Sequence, residues 1–97
     1  MIVESTNYYA KNGKANAVLA QRQRASQVRV ALGLPPGKIF VRLDGDGPDV
    51  RWECEFATSD AYDNDRAVRK QSPEFAAVRD GMHELLLRFE RHVEQLL

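Results

Sequence analysis

The stretch Pro48-Asp49-Val50-Arg51-Trp52-Glu53-Cys54-Glu55-Phe56 decides the fold. Val50, Trp52, Cys54 and Phe56 alternate with Arg51, Glu53 and Glu55, which is the two-residue period of a strand buried on one side. Upstream, Lys38 to Leu43 shows the same period, with Ile39, Val41 and Leu43 on one side and Phe40 and Arg42 on the other. Between the two runs lies Asp44-Gly45-Asp46-Gly47-Pro48-Asp49, a turn-forming segment with no helical option. Two period-two runs around a Gly/Asp loop predict an antiparallel hairpin.

Outward from the hairpin the period changes. Lys14 to Leu32 is helical, with Val18, Ala25, Val28 and Leu32 as its apolar stripe and Gln21, Arg22, Gln23, Arg24 and Gln27 as polar partners. Gly33 ends it and Pro35-Pro36 forbids continuation. Ahead of that helix, Ile2 to Tyr9 is rich in β-branched and aromatic residues and runs into Asn12-Gly13, so it predicts a first strand whose buried face its weak alternation leaves open. After the hairpin, Thr58 or Ser59 caps a helix with Asp60 and Asp63 at its start and Arg66, Arg69 and Lys70 at its end. Ser72-Pro73-Glu74 starts another, with Phe75, Val78, Met82, Leu85 and Leu86 as its stripe. Residues 88–97 fit two descriptions: Phe89, Val93 and Leu96 extend the helical stripe, and a strand there completes β-α-β-β-α-β.

The chain of 97 residues has 14 basic and 14 acidic side chains, 43% hydrophobic residues and one cysteine. That length allows one domain, residues 1–97. Zero net charge argues against a dedicated nucleic-acid binder, and no apolar run is long enough to cross a membrane. The lone Cys54 excludes an intrachain disulfide and suggests a reducing compartment. With no signal peptide evident after Met1, a cytoplasmic location is expected. Charge is uneven along the chain: residues 1–48 hold seven basic and three acidic side chains and 49–97 hold seven and eleven, or +4 and −4. Interleaved halves of opposite sign favour chain association over nucleic-acid binding.

Four strings, Gly33-Leu34-Pro35-Pro36-Gly37, Pro48 to Phe56, Ser72-Pro73-Glu74-Phe75 and Arg88-Phe89-Glu90-Arg91, in this element order resemble the dimeric α+β-barrel superfamily, whose subunit is ferredoxin-like. The last three are similar to small NIPSNAP-like members. The resemblance covers nearly the whole chain. It implies that residues 88–97 form the fourth strand of an antiparallel sheet with helices on one face, and that two subunits pair as a homodimer. Relatives in that superfamily include cofactor-free monooxygenases, haem-degrading enzymes and isomerases, but none of the resembling strings is catalytic, so fold licenses little about chemistry. Independently, a sheet covered on one face only needs solvent, a ligand or a second sheet on the other. At this size, pairing would also support a small core.

The remaining motifs mostly dissolve on inspection. Gly33 to Ile39 has three residues between its glycines, lacks the Ser or Thr of a phosphate loop and precedes a strand instead of a helix. Asp44, Asp46 and Glu55 fall at calcium-loop positions, but Pro48 and Asp49 occupy places that need a ligand and a glycine. His83 lacks the second histidine of a zinc-protease helix. Cys54 has no adjacent base to form thiolate. Trp52 and Phe56 have the parity of stacking residues in an RNA-recognition sheet, with Glu53 and Glu55 opposing that use.

The set that remains is Arg42, Arg51, Glu53 and Glu55, placed on the open face if Ile39, Val41, Val50, Trp52 and Phe56 face the helices. Charged groups there must be solvated, paired or bonded to a ligand. The expected site is a polar pocket inside a dimer barrel holding a small organic molecule: Arg42 for an anionic group, Glu53, Glu55 or His92 as proton acceptor, and Tyr8 contributing. The competing expectation is a non-enzymatic dimer module in which the same groups form interface ion pairs. Haem handling is a third class and would need His83 or His92 as an axial ligand. No motif implies a cofactor or metal, and neither nucleic acid nor membrane is an expected partner.

Overall fold

A computed structural model describes residues 1–97. The elements run β1 (Ile2–Ala10), α1 (Ala15–Ala31), β2 (Lys38–Val41), β3 (Val50–Phe56), α2 (Ser59–Lys70), α3 (Pro73–His83) and β4 (Leu86–Gln95). The strands form one sheet in the order β2-β3-β1-β4, antiparallel at every pairing, with the three helices on one face: a ferredoxin-like β-α-β-β-α-α-β fold.

The hairpin forms as expected in its second strand, but its first strand stops at Val41, and Val41 and Leu43 are exposed instead of buried. Val50, Trp52, Cys54 and Phe56 are all at most 5% exposed, and join Tyr8, Val18, Met82 and Leu86 in the core. The expected caps are in place: Thr58 Oγ1 accepts from the Ala61 amide and Ser72 Oγ accepts from the Phe75 amide, with Pro73 opening α3. The α1–β2 turn is fixed by side chains. The Pro36 carbonyl accepts from Ser26 Oγ at 3.0 Å and from Trp52 Nε1 at 2.9 Å. Gly37 follows at φ +76°, where a Cβ would lie 2.2 Å from Trp52 Nε1, so only glycine fits.

One further detail corrects the expectations, and a second decides residues 88–97 in favour of the expected strand. The inward face of α1 is Val18, Arg22, Ala25, Ser26 and Arg29, while Val28 and Leu32 are only half-buried. The helix is turned so that two arginines enter the core, because Arg29 has a carboxylate waiting there. Residues 86–95 are a strand, so the helical stripe ends at Met82. Phe89 and Val93 are four residues apart, an even spacing that shares a face in a strand as well as in a helix, which is why periodicity did not separate the two. The strand forms because β1 would otherwise present an unpaired edge, and the pairing runs from Ile2↔Gln95 to Ala10↔Leu86.

Candidate ligand-binding site

On the helix-covered face, β1 presents Glu4, Thr6 and Tyr8, all at most 9% exposed. Polar residues at inward positions are what blurred the alternation of this strand. A chain of charges, buried at Arg29, Asp65 and Glu4, crosses from the helices to the exposed Arg91 of β4. Arg29 grips Asp65 through two bonds, Nη2–Oδ2 at 2.6 Å and Nη1–Oδ1 at 3.0 Å, and donates its Nε to the Pro35 carbonyl. Arg69 reaches Asp65 Oδ1 at 3.6 Å and Glu4 Oε2 at 2.8 Å, and Arg91 Nε donates to the same Glu4 oxygen at 3.0 Å. Arg91 then bonds the Tyr62 hydroxyl. Burial pushes the Glu4 carboxyl up, but the hydrogen bonds and charges of Arg69 and Arg91 outweigh it and hold the group below its usual value. Burial raises the Cys54 thiol, against the nearby Arg29, so it stays protonated.

Arg22 is different. Its guanidinium lies over the Trp52 indole at 4.6 Å, and Nη1 donates to the Tyr8 hydroxyl at 3.1 Å. Arg22 is 5% exposed, yet no carboxylate meets it, and Nε and Nη2 have no partner. Burial pulls it below its ordinary value, partly offset by Tyr8 and reinforced by Arg29 and Arg69; an arginine so placed still carries its charge at neutral pH.

Beside these groups lies a cavity of about 720 Å³ between the sheet and the helices. Its floor is Glu4, Thr6, Tyr8, Arg22, Ala25, Trp52, Val78 and Met82; its mouth includes Asp63, Arg66, Ala67, Lys70, Arg79, His83 and Phe89. His83 stacks on Phe89 at 5.1 Å with the rings 6° apart. Apolar walls with a few converging polar groups are the usual make-up of a small-molecule site.

The expected site residues are divided between the two faces. Glu53, Glu55 and His92 project on the open face with Lys38, Phe40, Arg51, Tyr9, Arg88 and Glu90. Tyr8 has the opposite parity and belongs to the covered cavity, so it does not join them. Arg42 is on the open side but is engaged in the hairpin loop, donating to the Gly45 carbonyl at 2.8 Å and to Asp49 Oδ1 at 3.1 Å. Of its neighbours, Arg51 pairs with Glu53 at 3.5 Å, and Glu90 takes bonds from Tyr9 and Arg88. The two histidines lie on opposite faces of the sheet. Sequence reasoning missed Arg22, Arg29, Glu4 and Arg69. For the first two a signal existed: 18, 22, 25 and 29 form a helical stripe as regular as the one chosen.

No family model and no curated protein sequence matches the chain. Solved structures do. An uncharacterised NIPSNAP-domain protein from Burkholderia xenovorans is 15% identical with a TM-score of 0.77, covering 100% of this chain and 95% of that one. A putative antibiotic biosynthesis monooxygenase from Nitrosomonas europaea is 17% identical with a TM-score of 0.74, covering 100% and 99%. A dimeric protein of unknown function with a ferredoxin-like fold from Bacteroides fragilis is 11% identical with a TM-score of 0.73, covering 98% and 95%. The chain shares their fold. At these identities the likeness speaks for architecture, and the NIPSNAP-like and monooxygenase-like resemblance is one of fold.

Proposed function

We propose that the protein binds a small organic molecule in the cavity between sheet and helices, and that it does so as a homodimer whose open sheet faces pack on each other. The observation that carries the first part is the cavity itself: about 720 Å³, floored by the buried polar groups Tyr8, Arg22 and Glu4 beside Trp52, Val78 and Met82. That volume suits a ligand of one to three rings. The second part is supported by the one-sided helix cover, by the mixed charges of the open face, and by the dimeric description of the Bacteroides neighbour.

Binding is better supported than turnover. A cofactor-independent oxidation or isomerisation needs a proton acceptor at the substrate, and Glu4, the buried carboxylate in the cavity, is held acidic by two arginines and is therefore a weak base. The catalytic reading draws on the likeness to the Nitrosomonas protein, whose description names a monooxygenase. A thermal-shift screen of aromatic and alicyclic metabolites tests the binding reading, since a ligand of the native state raises Tm. Hits are expected to lose their effect in Ala67→Trp, which plugs the mouth from an exposed position of α2. Hits that bind Ala67→Trp equally well would place the ligand elsewhere.

A further inference from the structure

The charge network beside the cavity is unbalanced. Four arginines, Arg22, Arg29, Arg69 and Arg91, accompany two carboxylates, Glu4 and Asp65, and those carboxylates bond Arg29, Arg69 and Arg91, with Glu4 Oε1 left without a partner. Arg22 is left over. Its two unpartnered nitrogens, Nε and Nη2, are neighbours on one edge of the guanidinium, and their N–H bonds point the same way. That edge is the fork that receives both oxygens of a carboxylate in parallel. The remaining nitrogen, Nη1, is spent on the Tyr8 hydroxyl, which accepts that bond and so keeps its own proton free to donate.

From this geometry we infer that the cavity's ligand is an aromatic carboxylic acid in its anionic form, its carboxylate held by the unpartnered edge of Arg22 and its ring lying among Trp52, Val78 and Met82. The inference rests on the reading that the cavity binds a small organic molecule. A buried cation with an idle hydrogen-bonding edge is unfavourable, and a carboxylate removes that penalty where a neutral group does not. Arg29, seven residues further along the same helix, has its counter-ion in Asp65 and shows the satisfied arrangement in the same core. Nε and Nη2 are sealed from water. The acid therefore enters by displacing floor side chains, among which Met82 is the adaptable one.

The test compares two ligands of one shape on the unaltered protein: naphthalene-2-carboxylate and 2-(hydroxymethyl)naphthalene, by isothermal titration at pH 7. The carboxylate is expected to bind at least about tenfold tighter, as charge-assisted bonds outweigh neutral ones. Arg22→Met is expected to abolish the preference, with circular dichroism checking that it folds, and Ala67→Trp to weaken both ligands. Equal affinity of the two on the unaltered protein overturns the carboxylate assignment while leaving the cavity reading intact. Binding of neither overturns both. Displacement of the naphthoate by millimolar inorganic phosphate would mark a general anion site and overturn the assignment of a flat acid.

Discussion

On the covered face of the sheet, the buried Glu4, Asp65 and Arg29 are bonded, with the part-buried Arg69 and the exposed Arg91, across four different elements. On the open face, the ion pairs Arg51–Glu53 and Arg88–Glu90 each join residues two apart on one strand, within reach of water, with Tyr9 also donating to Glu90 from β1. The same residue types thus do different things. Inside, each charge depends on a partner far away in sequence, so the network ties α1, α2, β1 and β4 together. Outside, pairing is local, contributes little to the monomer and leaves the groups available to a second chain.

The largest test of that contrast is Asp65→Ala. It leaves Arg29 buried and unpaired and is expected to cost about 3–5 kcal/mol in urea unfolding; a loss under ~1 kcal/mol would break the distinction between the faces. Gly37→Ala comes next, because a Cβ meets both the Trp52 indole and the Glu53 carbonyl at a left-handed φ. A loss of about 2 kcal/mol is expected, and unchanged stability would show that the turn does not hold the indole. Glu4 supplies the pH dependence. Its folded value lies below the unfolded one, so its contribution is present above roughly pH 4.5 and disappears as pH falls through the folded value. Glu4→Gln should therefore cost about 2 kcal/mol at pH 7 and flatten the acid limb of stability against pH; an unchanged limb would deny the carboxylate its role. The smallest effect on the monomer belongs to Glu55→Arg, within about 0.5 kcal/mol. Sedimentation equilibrium should nonetheless show it weakening self-association, and an unaltered monomer–dimer balance would exclude this face as the contact.

The hairpin was legible because Val50 to Phe56 buries apolar residues at every second position, leaving the pattern undiluted. The caps at Thr58 and Ser72 were legible because they act within three residues of themselves. The site was not, because its inward positions on β1 and α1 carry Glu4, Thr6, Arg22 and Arg29. A residue-type rule assigns such side chains to water, and only the partners contributed by α2 and β4 reverse that. For the same reason Tyr8 was grouped with Glu53 and His92: which side of β1 faces the helices depends on register with β3, which no local pattern specifies.

Trp52 is the only tryptophan of the chain, and two guanidinium groups lie within 5 Å of its ring centre, Arg22 at 4.6 Å and Arg29 at 4.9 Å. With its Nε1 tethered to the Pro36 carbonyl, the indole is both rigid and electrically exposed. Its emission wavelength and yield should consequently act as a label already installed beside Arg22, shifting whenever an incoming anion rebalances the local field. Occupancy could then be followed by light alone, with no dye attached.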